Sequence, residues 1–153
     1  MEKIVVVNGE DLLMQAPLKG MLPSKERRFG VSHGLGEAGY DIRIKQDVLL
    51  HPFRRFRLAS SMEYFDMPDD LVAVVHDKSS WARQGVSVFN SVIEPGWEGW
   101  LTIELAYHRW KPLFIPAGAG IAQIIFHKLS ETAAYTGRYQ HQPDRPVPAI
   151  AAE

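Results

Sequence analysis

From Tyr40 to His127 the chain is a string of short apolar or alternating runs, each closed by Gly, Pro, Asn, Asp or Ser. Such spacing leaves no room for long helices and forces the backbone into short strands joined by tight turns. Tyr40, Ile42 and Ile44 alternate with Asp41, Arg43 and Lys45 in YDIRIKQDVLL, which predicts a half-buried strand over Tyr40 to Leu50. A second strand is expected through Phe53, Phe56 and Leu58, and the apolar run Leu71 to Val75 reads as a buried one. Ser79 to Gly85 is the expected single helical turn, capped by Ser79 or Ser80 and ended by Gly85 in the left-handed conformation. Val86 to Ile93 is β-branched but broken at Asn90-Ser91. Pro95-Gly96 and Glu98-Gly99 are turns, and Trp100 to Tyr107 is a strand with Leu101, Ile103 and Leu105 on one face. Glu104 therefore points away from the apolar face. Phe114 to Gly118, a strand ending in a turn, and Ile121 to His127 complete the strands, and the architecture implied is an all-β barrel or sandwich of jelly-roll type.

The remaining segments are less regular. Ile4 to Val7 predicts a short strand, and Asn8-Gly9 caps a helix of at most about three turns before Pro17. Leu22 to Gly39 reads as a loop whose Lys25, Glu26, Arg27 and Arg28 form a solvated charge run. Tyr135 to Pro148 is polar, rich in Pro, Gln and Arg, and either disordered or folded over something. With 153 residues, one domain spanning 1–153 is expected, with residues from about 135 to 153 as its C-terminal tail. A net charge of −1 removes the general attraction to a phosphate backbone, so no nucleic-acid partner is expected. The chain has no Cys, which excludes disulfides and Cys-containing zinc sites and fits a reducing compartment. Neither a signal peptide nor a membrane span is legible, so a cytoplasmic protein without membrane contact is expected.

Chemistry concentrates between Lys78 and Glu104. Lys78, Ser79, Ser80 and the first amides of the SSWAR turn are the donors a triphosphate needs; alternatively Ser79 caps the turn and Lys78 is a surface cation. Arg83 lies about one helical turn further and can give a carboxylate or a developing anion two parallel hydrogen bonds. Glu94 and Glu104 flank a turn and can reach one pocket from adjoining strands. A partly buried glutamate has a raised pKa, which suits it to take a proton from water and return it to a leaving group. The plainer reading makes Glu94 a turn acid and Glu104 an outward strand residue. Gln123 and Gln142 can meet phosphate or a base edge. Of Trp81, Trp97, Trp100 and Trp110, at most one is expected beside a ligand. The histidines show no paired metal spacing, and the H-x-E with P-C-x-x-C pattern of zinc-dependent base deaminases is absent.

Taken in order, GYDIRI at Gly39 to Ile44, KSSWARQG, VIEPGWEGWLTIEL, GAGIAQIIF and YTGRYQHQ resemble the successive motifs of the dCTP deaminase family in the dUTPase-like superfamily. The resemblance runs from about Gly39 to Gln142, and the shared order of the motifs makes it specific. It implies a dUTPase-like distorted β-barrel or jelly roll with one or two short helices. It also implies a homotrimer with shared active sites and a C-terminal segment that closes over nucleotide. The implied reaction is deamination of dCTP to dUTP by glutamate-activated water, without zinc, with Mg2+ carried on the triphosphate. By motif position, Glu104 is the implied general base, Ser79 and Arg83 its catalytic partners, and Glu94 the sugar-side carboxylate. Lys78, Ser80, Trp97, Gln123, Tyr135, Arg138, Tyr139 and Gln142 are the other implied substrate contacts. A charged residue at Glu104 favours deamination over the dUTPase reaction; the alternatives are a dUTPase, a bifunctional enzyme yielding dUMP, or a weakly catalytic nucleotide-binding regulator. Lys78, Glu94 and Ala106 depart from the arginine, aspartate and asparagine usual at these places, and those departures bear on substrate choice.

Overall fold

The structure is a computed structural model and describes residues 3–151. Twelve strands and two short helices follow one another in the described residues: β1 (Val6–Val7), α1 (Gly9–Gln15), β2 (Lys25–Arg28), β3 (Val31–Leu35), β4 (Tyr40–Arg43), β5 (Val48–Leu50), β6 (Phe56–Asp66), β7 (Leu71–Asp77), α2 (Ser79–Ala82), β8 (Val86–Val88), β9 (Val92–Ile93), β10 (Glu98–Tyr107), β11 (Leu113–Ile115) and β12 (Gly120–Lys128). Most of the turn-punctuated runs thus become strands, as expected, in a mainly β, jelly-roll-like fold, but Phe53 lies before β6, and Glu98-Gly99, expected as a turn, opens β10 by pairing with Asp66 and Phe65. They form three sheets, not one closed barrel. The largest runs β2-β3-β4-β12-β7-β9 with β1 also on β12; β6-β10-β8 and β11-β5 make the others.

Strand β12 is central to the large sheet because its residues are apolar on both faces, and it pairs antiparallel with β4 and β7. Ile42, Ile124 and Phe126 from that sheet are buried together with Phe65, Ile103 and Leu105 from β6 and β10. The two sheets close one core between them. Leu101, Ile103 and Leu105 face it, so Glu104 points to the opposite face as its alternation requires.

The structure corrects several local expectations. Leu22 to Gly39 is not a loop: β2 and β3 form a hairpin through Phe29 and Gly30, both with positive φ (55° and 74°). Every residue of β2 is exposed, so this edge strand carries no apolar alternation to read. Tyr40 to Leu50 is two strands in different sheets, and Asp41 is buried on the first. At α2 the cap is Lys78, with no side-chain cap bond, although Gly85 does adopt the left-handed conformation (φ 88°). Asn8 likewise caps α1 only through its backbone; its side-chain amide donates instead to the Glu37 carbonyl at 2.8 Å. The segment from Tyr135 onward packs against the turn at residues 95–99.

Gly120 is where three parts of the fold meet. A Cβ there would lie 2.0 Å from the Ser32 carbonyl oxygen, and the Gly120 carbonyl accepts the Trp81 indole N–H of α2 at 2.7 Å. Only a residue without a side chain lets β3 and β12 approach this closely. Gly120→Ala is expected to lower unfolding free energy by about 1–3 kcal/mol in urea titrations; an unchanged midpoint would contradict the packing described.

Candidate active site

A cavity of about 620 Å³ opens on the solvent-facing side of the three-stranded sheet. Strands β6 and β10 contribute Phe56, Leu58, Leu101, Thr102 and Glu104; the turn after β9 contributes Glu94 and Trp97. Tyr135, Tyr139, Gln142 and residues 147–149 close its other side. Glu104, Glu94, Trp97, Tyr135, Tyr139 and Gln142 are therefore brought together, although some 40 residues separate the turn from the tail. Of the four tryptophans only Trp97 lines the cavity.

The tail is fixed by hydrogen bonds that the composition did not disclose. The Trp97 indole donates to the Tyr139 carbonyl at 2.6 Å, and the Trp100 amide to the Gln142 carbonyl at 3.3 Å. Gly99 allows this contact, since a Cβ there would sit 2.6 Å from the Gln142 amide nitrogen. The Gln140 amide group ties the turn to the tail: it donates to the Gly96 and Tyr135 carbonyls at 2.9 and 3.2 Å and accepts from the Glu98 amide at 2.8 Å. Thr102 Oγ1 donates to Gln142 Oε1 at 3.2 Å and accepts from the Val147 amide at 3.0 Å. Arg138 donates to the Ile150 carbonyl at 2.8 Å and so holds the tail to itself; it does not line the cavity. Lys45 pairs with Asp144 further along the tail.

Glu104 is half-buried among these groups, and burial raises its pKa; an opposing hydrogen bond from the backbone lowers it by less. Among the described residues no cation pairs with its carboxylate. This is the electrostatic setting a proton shuttle needs: a carboxyl that ionises but holds its proton more firmly than usual.

Lys78, Ser79, Ser80, Arg83 and Gln123 do not line this cavity. Lys78 Nζ lies 2.6 Å from Asp41 Oδ2 and 3.2 Å from Ser32 Oγ, with both charged side chains more than nine-tenths buried. Its ammonium thus ties α2 to the large sheet. Ser79, Ser80 and Arg83 stand exposed on α2, and Gln123 is half-buried on β12, opposite Asp41 and His76. Phe56, Leu58, Thr102 and Gln140 were missed by sequence reasoning. Phe56 and Leu58 lie on a predicted strand, but only its pairing with β10 reveals them as cavity wall.

Among the described residues no group of three or more His, Asp or Glu side chains converges to hold a metal, and no helix is long and apolar enough to cross a membrane.

The fold is that of the dUTPase-like proteins. It superimposes on 2'-deoxycytidine 5'-triphosphate deaminase from Agrobacterium tumefaciens with a TM-score of 0.63 at 16% identity, over 82% of this chain and 49% of that one. The dUTPase of EIAV gives 0.55 at 19% identity, over 74% and 88% of the two chains. The sequence itself is more specific: a dCTP deaminase-like family model matches residues 40–129. A dCTP deaminase of Campylobacter concisus is 32% identical, over 90% of this chain and 93% of its own, and one of Campylobacter jejuni subsp. jejuni serotype O:6 is 35% identical over 78% and 82%. The chain belongs to the dCTP deaminase-like family.

Two outcomes test these electrostatics. A carboxyl whose folded pKa is raised stabilises the folded state only while protonated, so the Glu104 contribution is present below the ordinary glutamate value and lost as pH rises through the raised one. Glu104→Gln is therefore expected to have a higher Tm than the parent at pH 7, with the difference vanishing below about pH 4. Lys78→Met leaves Asp41 buried and unpaired and is expected to lower stability by about 3–5 kcal/mol without any nucleotide present. A variant that melts like the parent would show that the ammonium is not a structural tie.

Proposed function

We propose that this protein deaminates dCTP to dUTP and ammonia in pyrimidine deoxynucleotide metabolism, with Glu104 moving the protons. The observation that carries this is a half-buried glutamate without a cation partner among the described residues, on the wall of a nucleotide-sized cavity, in a member of the dCTP deaminase-like family. The Glu104 carboxylate accepts a proton from water as the water oxygen bonds to C4 of the cytosine ring. It returns the proton to the exocyclic nitrogen; the C4–N bond breaks, ammonia leaves, and the hydroxyl proton passes to ring N3, which gives the C4 carbonyl of uracil. The chain has no Cys, so the thiolate-held zinc of other base deaminases has no counterpart in its donor set.

Ser79 and Arg83 have no place in the cavity of a single chain, and their exposure on α2 supports a site completed between copies. In the proposed homotrimer a neighbouring copy presents Ser79 to hold the water and Arg83 to hold the base-side charge, with Ser80, Gln123 and the α2 amides toward phosphate. Lys78 braces that loop through Asp41. Glu94 and Trp97 face the sugar, and Tyr135, Arg138, Tyr139 and Gln142 form the lid. Mg2+ fits as a passenger of the triphosphate: it keeps most of its waters, needs only one or two carboxylates, and offsets phosphate charge. The whole chain is one domain in this reading, residues from about 135 to 153 being its lid and tail.

Glu94 supports a second reading. It lines the same cavity as Glu104, so a second water could be activated there, releasing pyrophosphate from dUTP and giving dUMP. A binder that holds nucleotide without turnover is the third.

Incubating the protein and Mg2+ separately with dCTP, dCMP and dUTP, then assaying ammonia and pyrophosphate, separates the readings. Ammonia from dCTP alone is expected. Glu104→Gln is expected to reduce ammonia release at least about 100-fold while nucleotide still raises Tm; retained turnover would sink the assignment. Pyrophosphate from dUTP would establish the second reading, and binding without product the third.

A further inference from the structure

On the outer face of the three-stranded sheet Glu104 has an apolar neighbour on each side. It lies opposite Leu58 on β6, and on its other flank the Phe89 amide, immediately after β8, donates to the Glu104 carbonyl at 3.1 Å. One row along the same face, Ala106 sits between Phe56 and Ser87. Directly opposed residues share a face, so the carboxylate emerges between Leu58 and Phe89 with Phe56 on the diagonal. Phe56 and Phe89 meet with ring centroids 6.0 Å apart and planes tilted by 32°. Both remain about half exposed, at 55% and 46%, and only Phe56 lines the cavity.

Two phenylalanines held in mutual contact, uncovered, beside a functional carboxylate form a surface that awaits an apolar partner. We propose that Phe56 is the platform on which the pyrimidine ring stacks beside Glu104, and that Phe89 is a positioning residue which fixes the Phe56 ring and covers the flank of the carboxylate. The proposal rests on the nucleotide-deaminating reading above and names the side chain that holds the base.

Ring spacing decides which face is used. A base sandwiched between the two rings needs roughly 7 Å, twice the contact distance of about 3.5 Å between carbon atoms. At 6.0 Å the pair does not admit one, so the base lies on the cavity side of Phe56 and Phe89 packs behind it. Stacking supplies affinity that is indifferent to base identity, which leaves Glu104 and hydrogen-bonding groups to select the amino-bearing pyrimidine. Ala106, small and between Phe56 and Ser87, keeps larger side chains out of this row.

The test uses the full chain and three variants, Phe56→Leu, Phe56→Tyr and Phe89→Ala, with steady-state deamination of dCTP followed across pH and assembly followed by light scattering. Phe56→Leu keeps apolar bulk but loses the π face, and is expected to raise KM for dCTP by roughly 5- to 100-fold with a smaller effect on kcat. Phe56→Tyr, which keeps a ring, is expected to restore most of the affinity lost with leucine. Phe89→Ala is expected to move the acid limb of the kcat/KM profile to lower pH, because water reaching Glu104 relieves its desolvation. An unchanged KM in Phe56→Leu overturns the platform, as does a KM change that accompanies loss of assembly, which would make the pair a contact between copies. An unshifted acid limb in Phe89→Ala overturns its role. If the parent protein releases no ammonia from dCTP, the functional reading fails by itself. The platform is then read from dCTP and dUTP binding, where weakening by Phe56→Leu supports it, and unaltered or absent binding overturns it.

Discussion

The antiparallel ladder between β6 and β10 is the constraint from which the cavity follows. It runs from Glu98 opposite Asp66 to Ala106 opposite Phe56, but between Trp100 and Thr102 the partner strand advances from Tyr64 to Ser60. The two extra residues on β6 are an even number, so the faces stay in phase across the irregularity. Ser61 fills the gap, donating its hydroxyl to the Glu63 carbonyl at 2.8 Å and accepting from the Leu101 amide at 2.9 Å. The bulge also allows the Glu63 carboxylate to meet Arg43 on β4, accepting from its backbone N–H at 2.9 Å and from its side-chain Nε at 2.8 Å. One irregularity therefore both preserves the outward direction of Glu104 and joins the two main sheets.

Two ionic ties of different kind act on this frame. The Glu63–Arg43 and Asp41–Lys78 pairs begin from successive odd positions of β4, and in both the carboxylate is buried. Their value is geometric more than energetic, since a buried pair recovers little beyond its desolvation. The first sets β6 against the large sheet. The second sets α2, and with it the exposed Ser79 and Arg83, against the same sheet.

Much of this was legible from local chemistry. Strand alternation gave the direction of Glu104, turn residues gave Pro95-Gly96, and Gly85 announced its left-handed backbone. Features created by pairing were not. Asp41 alternates like a solvent-facing residue and is buried only because Lys78, far along the chain, is brought to it. The β2-β3 hairpin escapes detection because an edge strand exposed on both faces has no period. Phe56 and Leu58 look like ordinary strand residues until β10 is laid beside them. The motif resemblance, by contrast, marked the residues of the turn and the tail that do meet in the cavity, because it carries information about distant pairing that periodicity lacks. It did not reveal that α2 lies elsewhere within the single chain.

The bridge between Gly99 and Gln142 is parallel, and it occupies the side of β10 that β6 leaves free; β8 takes that side only further along, from Leu105. The tail therefore serves as a short guard strand as well as a cover. If it lifts to admit a ligand, the Trp100 amide and its neighbours become an open sheet edge, able to recruit any extended backbone. Opening the cavity and exposing that border would then be one movement.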